Sequence, residues 1–66
     1  MNHYFMIFGY NKYTGEQIDE VSKRFETKAA AKKYLKDQIL KYIDPSDPID
    51  QITEYKVEEQ FTITIF

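Results

Sequence analysis

His3-Tyr-Phe-Met-Ile-Phe-Gly-Tyr10 is the stretch that decides the fold. It carries no Asp, Glu, Lys or Arg and is dominated by aromatic and branched side chains. It is too short for an ordinary helix and has the composition of a strand. In a strand, alternate residues face opposite ways, so Tyr4, Met6, Phe8 and Tyr10 share one face while Phe5 and Ile7 share the other. Both faces are apolar, which is the mark of a central strand.

Working outward, Asn11-Lys-Tyr-Thr-Gly15-Glu16 has Asn where a turn starts and Gly where a positive φ is needed, so it reads as a four- or five-residue hairpin loop. A second strand is expected within Glu16–Glu26, with Val21 and Phe25 on one face. Ile18 falls on the other face unless a bulge intervenes near Asp19-Glu20. Lys23 and Arg24 suit an edge strand that resists unwanted pairing.

Thr27 then has the chemistry of an N-cap, and a helix is expected to run from it to about Ile43, stopped by Asp44-Pro45. At 100° per residue, Ala31, Tyr34, Leu35, Ile39 and Tyr42 form its apolar stripe, with Gln38 among them. Leu40 points the other way, among lysines, either as a lone exposed leucine or as an anchor for a partner. Asp44-Pro-Ser-Asp-Pro-Ile-Asp50 reads as a stiff loop. From Ile52 alternation resumes, with Tyr55, Val57, Phe61, Ile63 and Ile65 on one side and Glu59 interrupting it. A bend or bulge near Glu58-Glu59-Gln60 is expected, because one unbroken strand of this length would overrun a small sheet. Phe61–Phe66, being uncharged, should lie in the sheet.

The order is therefore β-β-α-β in one domain spanning residues 1–66. It is an α+β fold with a three-stranded antiparallel or mixed sheet of order 2-1-3 and one helix packed on one face. A single helix covers one side only. The other side is expected to present an apolar, aromatic surface that a second molecule covers.

Composition narrows the function. The chain has 66 residues, eleven of them Tyr or Phe, and no cysteine, so disulfide and thiolate chemistry are excluded. Phe, Tyr, Met, Ile, Asn and Lys make up 31 residues, a bias that points to an AT-rich coding sequence of the kind found in low-GC bacteria, their plasmids and their phages. No stretch has the length of a signal core or a membrane span, so the expected location is the cytoplasm. Catalysis finds no Ser/His/Asp or Cys/His set, and the one histidine, His3, is expected to be solvated. Glu58 and Glu59 are strand neighbours and point apart. Asp44, Asp47 and Asp50 fail the EF-hand pattern, which Pro48 and Ile49 interrupt. No enzyme activity, cofactor, metal or small-molecule substrate is expected.

Charge is unevenly placed. Residues 27–43 hold five lysines and one aspartate, a net of +4, while residues 44–60 hold six acids and one lysine, a net of −5. The acidic stretch suits a decoy for a basic groove. The helix flank of Lys28, Lys32, Lys33 and Lys36 suits phosphates, but the overall −2 and the single arginine disfavour nucleic acid.

Gly9-Tyr-Asn-Lys-Tyr-Thr-Gly-Glu16 and Ser22-Lys-Arg-Phe-Glu-Thr-Lys-Ala-Ala-Ala31 resemble the N-terminal arm-site DNA-binding domain of phage-type integrases over about half of the chain. That resemblance implies a mobile-element origin and DNA contacts from strands. The family, however, has three strands before its helix, and its reading strands are basic where this chain has Gln17-Ile-Asp-Glu-Val21, so membership is not adopted.

The expected function is protein binding, in concrete form a phage- or plasmid-encoded inhibitor of a host protein of the anti-defence or anti-CRISPR type. The expected contacts are Tyr4, Met6, Phe8 and Tyr10 on the sheet, Leu40 on the helix, and Asp47, Asp50, Glu54 and Glu58 in the acidic stretch. The alternatives are a nucleic-acid accessory protein using the lysine flank, or a structural homodimer.

Overall fold

The computed structural model describes residues 2–62. Strand β1 (Asn2–Asn11) is followed by β2 (Gln17–Phe25), helix α1 (Lys28–Tyr34), a π turn (Leu35–Ile39), a 3-10 turn (Leu40–Tyr42), a short helix α2 (Pro48–Ile52) and β3 (Thr53–Thr62). The sheet is antiparallel and ordered β2-β1-β3, so the uncharged strand lies in the middle, as its two apolar faces require. The positions expected to extend the last strand through Phe66 lie outside the described residues beyond Thr62.

The hairpin forms as its residues dictate. The Asn11 side chain accepts from the backbone of Tyr13 (2.9 Å) and Thr14 (3.2 Å). Gly15 takes φ +77°, a region closed to most side chains. Two register shifts then break the β1–β2 ladder. Ser22, Lys23 and Arg24 stand against Met6 alone, between the pairs Phe5–Phe25 and Ile7–Val21. Ile18 is the extra residue between Gly9–Asp19 and Tyr10–Gln17, which places the second bulge just before the expected Asp19-Glu20 position. Val21 and Phe25, four apart, lie on the core side, and the wider shift brings Phe25 opposite Phe5 rather than His3.

The β1–β3 ladder is the opposite case. It runs without a shift from Asn2–Thr62 to Asn11–Thr53. The bend expected near Glu58-Glu59-Gln60 is absent, because β1 is as long as β3 and supplies a partner at every position. Glu59 therefore falls on the helix side, where its carboxylate stays exposed and meets His3 Nδ1 at 3.1 Å.

The helix starts at the expected cap. Thr27 Oγ1 accepts from the Ala30 N–H at 3.1 Å, the Ncap-to-N3 bond. It does not continue as one regular α-helix to Ile43. After Tyr34 the backbone widens into a π turn, with the Leu40 N–H bonded to the Leu35 carbonyl. That adds a residue to the turn and rotates the rest of the helical run about its axis. Ala31 is buried, and Tyr34, Leu35 and Ile39 pack on the core as the stripe predicts, but Tyr42 swings out to 69% exposure and Gln38 is exposed, so it needs no buried partner.

The core lies between the helical layer and one sheet face: Ile7, Phe25 and Ala31, edged by Phe5, Val21, Tyr55 and Val57. Gly9 sits where a Cβ would come within 3.0 Å of Asp19 and Thr53 and 3.1 Å of the Tyr55 ring. Its missing side chain lets Tyr55 reach across β1 and donate to Asp19 Oδ2 at 2.9 Å. The molecule is flat, 47 × 25 × 14 Å. It exposes 5219 Å², against about 4,400 Å² usual for a monomer of its mass. Such an excess is comparable to what one partner contributes to a standard interface, about 800 Å².

Candidate functional site

The helix-free side of the sheet carries Tyr4, Met6, Phe8 and Tyr10 down its middle, as the strand period places them. No helix covers this face among the described residues, yet it is not the bare aromatic surface expected. The Arg24 guanidinium lies 4.4 Å from the Tyr4 ring centroid. Lys56 Nζ lies 5.4 Å from that of Tyr10. The Tyr10 hydroxyl donates to the Glu58 carboxylate, and its ring tilts toward Phe8 at 6.4 Å. Long charged side chains from the flanking strands lay their apolar stems over the row while keeping their charges in water. Phe8 retains only 9% exposure, and Tyr4, Met6 and Tyr10 are half-buried. Phe8 is thus a packed residue, and the open part of the row belongs to Tyr4, Met6 and Tyr10. Tyr10 titrates above its ordinary value, chiefly because it donates to Glu58, with burial and the carboxylate's charge adding to this.

The acidic residues divide into two groups. Glu54 and Glu58 lie on β3 and face the helix-free side beside Tyr10, to which Glu54 is paired across the strands. Asp44, Asp47 and Asp50 instead build their own loop. Asp44 Oδ1 accepts from both the backbone and the hydroxyl of Ser46, at 2.9 and 2.7 Å. These bonds favour the carboxylate and hold Asp44 below its usual range, the hydroxyl bond most. Asp47 caps α2 by accepting from the Ile49 N–H at 2.9 Å, with Pro48 at the first helical position. Asp50 Oδ2 accepts from the Asp44 N–H at 2.9 Å. This short helix stands where the sequence reads as loop throughout. Its signal is Asp47-Pro48, an N-cap followed by the residue best suited to the first helical position.

Lys28, Lys32, Lys33 and Lys36 are all exposed on the helix. Lys33 borders a shallow groove of about 320 Å³ with Lys23, Phe25, Tyr34 and Asp37. Lys23 Nζ lies 4.9 Å above the Tyr34 ring there, and Asp37 places a negative charge at the same groove. His3 stacks near Phe61, with centroids 6.2 Å apart, and faces Glu59. Among the described residues no group of three or more His, Asp or Glu is arranged as metal ligands would be.

Topology assembles a surface that sequence reasoning did not find. The Lys12 N–H donates to the Ile52 carbonyl at 2.8 Å, which ties the β1–β2 turn to the end of α2. The helical run 28–42 climbs about 22 Å, the span of about seven strand residues, so it ends level with that turn. Tyr13 (77% exposed), in the tied turn, and Ile49 (60%), in α2, therefore stand at one end of the molecule, and the exposed Tyr42 (69%) and Leu40 lie on the helical run that climbs toward it. Of the expected apolar contacts, Leu40 alone belongs to this group. The others come from a turn, a π-rotated helix end and a helix taken for loop, none of which a period-based reading flags.

A scan against family models finds no match, and searches of curated proteins and of solved structures find none either. The integrase arm-site pattern of three strands before a helix is not the pattern here, where the third strand comes after the helix.

Proposed function

We propose that this chain acts by binding a protein that presents a basic surface, with no chemistry of its own. The observation that carries this reading is the end of the molecule where Tyr13 and Ile49 stand exposed on elements tied by the Lys12–Ile52 hydrogen bond, beside Asp47, Asp50 and Glu54. Large side chains exposed together and rimmed by charge are the composition of an interface. Acidic residues around them steer a basic partner and set the salt dependence of its capture. Small size, AT-rich composition and this acidic end support a finer form, in which the chain is a phage- or plasmid-encoded inhibitor of the anti-defence or anti-CRISPR type. It would occupy a basic groove built for nucleic acid.

The test compares wild type with Tyr13→Ser, Ile49→Ser and Glu54→Gln for retention of a host protein on immobilised chain. Asp47 and Asp50 are replaced by Asn only, because Asn still caps a helix and accepts a hydrogen bond. A basic protein retained by wild type, released by salt and lost on Tyr13→Ser and Ile49→Ser supports the reading. Retention unaffected by these changes overturns it. So does binding of labelled DNA or RNA that Lys32→Ala and Lys36→Ala abolish, since that is the signature of the lysine flank.

A further inference from the structure

β3 is the outer strand of the sheet on the side away from β2, and its ten residues pair with β1 without a bulge. Among the described residues nothing pairs with its outer edge. The Ile52 carbonyl accepts from Lys12, continuing the Asn11–Thr53 register, so even-numbered residues of β3 turn their backbone groups toward β1. Thr53, Tyr55, Val57, Glu59 and Phe61 then direct theirs outward. A regular strand with five free donor–acceptor pairs in a row is a template for another strand.

The side chains select which strand. When β3 is laid antiparallel against a copy of itself, each two-fold register sets particular residues opposite one another. With Val57 on the axis, Lys56 stands opposite the partner's Glu58 twice, Glu54 opposite the partner's Gln60, and Tyr55 opposite the partner's Glu59. Nine residues, 53–61, overlap. Moving the axis to Lys56 opposes two lysines and sets Glu54 against the partner's Glu58. Moving it to Glu58 or Glu59 opposes two carboxylates, and moving it to Tyr55 leaves an overlap of only five residues. Opposite charges across strands attract and like charges directly opposite repel. One register is therefore both long and charge-matched. Glu58 also accepts from Tyr10 within its own chain, which orders its carboxylate on the same face as Lys56.

We propose that the chain forms a two-fold dimer by antiparallel β3–β3 pairing centred on Val57, giving a six-stranded sheet of order 2-1-3-3-1-2. Lys56 then works as a register key, since it attracts an acid at the facing position and repels another lysine there. The β3 edge adjoins the end that carries Tyr13 and Ile49, and Glu54 belongs to both, so Tyr13→Ser and Ile49→Ser test the first proposal while Lys56→Glu and Val57→Pro test this one.

The experiment is sedimentation of the full chain across a concentration series, with circular dichroism to verify folding. Wild type should sediment at twice 7.9 kDa. Lys56→Glu should raise the dissociation constant by about tenfold or more, since it converts two attractive pairs into repulsive ones. The double variant Lys56→Glu/Glu58→Lys should restore the dimer. Val57→Pro removes an N–H that points outward, so it should give a folded monomer. A wild type that stays monomeric at millimolar concentration overturns the proposal. A dimer indifferent to Lys56→Glu and Val57→Pro overturns it as well, because the copies then meet through another face, such as the tyrosine row. Failure of the charge swap to restore pairing overturns the register.

Discussion

The two ladders that β1 makes are built from the same central strand but differ in kind. Against β2 the pairing shifts twice, and the bulges carry Lys23, Arg24 and the extra Ile18. Against β3 it never shifts. The bulged side brings Phe25 opposite Phe5 and leaves an irregular edge with Lys23 and Arg24 in its wider bulge. The regular side keeps a strict alternation, which sends Glu54, Lys56 and Glu58 to the open face and leaves a straight edge. The wider bulge thus does two jobs on β2: it brings Phe25 opposite Phe5, and it spoils the edge as a template. β3 does neither, and its edge is governed by charge alone.

The largest expected effect removes what the two ladders share. Ile7 is fully buried and pairs with Val21 on one side and Val57 on the other. Ile7→Ala should cost about 3 kcal/mol through lost burial and a cavity, a large fraction of the stability of so small a domain. Chemical denaturation should show it, with amides of both outer strands losing protection together. If only one strand loosens, the ladders are not one cooperative unit.

Gly9→Ala should come next, at about 1–3 kcal/mol. The new methyl would press on Asp19, Thr53 and the Tyr55 ring at once, so it should disturb the tie that joins the two outer strands above β1. Denaturation midpoints of the variant, read with an unchanged m-value, measure it. A neutral result would mean that the Tyr55 ring gives way without loss.

The smallest effect sharpens the same tie. Burial, and then the bond to Asp19, push the Tyr55 phenol up to about 12. The folded state favours the neutral phenol, so this contribution is complete below the ordinary value near 10 and is lost as pH rises through about 12. The Tm advantage of wild type over Tyr55→Phe should hold up to pH 10 and shrink from there to pH 12. A difference that stays constant over that range would show that the hydrogen bond is not what the phenol contributes.

Much of this architecture is legible along the chain because its signals are local. Thr27 before Lys28-Ala-Ala-Ala31 specifies a helix start through one side-chain oxygen. Asn11 and Gly15 specify the turn through a hydrogen bond and a sign of φ. What resisted reading depends on lengths matched across the sheet and on cover from other elements. The unbroken β3 stems from the equal length of β1, which alternation within residues 52–65 does not contain. The cover on the tyrosine row comes from Arg24 over Tyr4 and from Lys56 and Glu58 at Tyr10, reaching in from two other strands, and the exposure of Tyr42 follows a π turn that no heptad count reveals.

Residue order alone was enough for the element order, the central place of the uncharged strand and the sharing of one face by Phe5 with Ile7 and by Val21 with Phe25, while the structure decided that this face meets the helix. The period of the backbone and the aversion of apolar groups to water act on neighbours in the chain. Only assembly in three dimensions settled that Asp47 and Asp50 hold a loop together, that Phe8 is covered, and that the turn of Tyr13 and the helix of Ile49 are tied at one end. Those outcomes depend on distances between residues far apart in sequence, which folding fixes and composition does not encode.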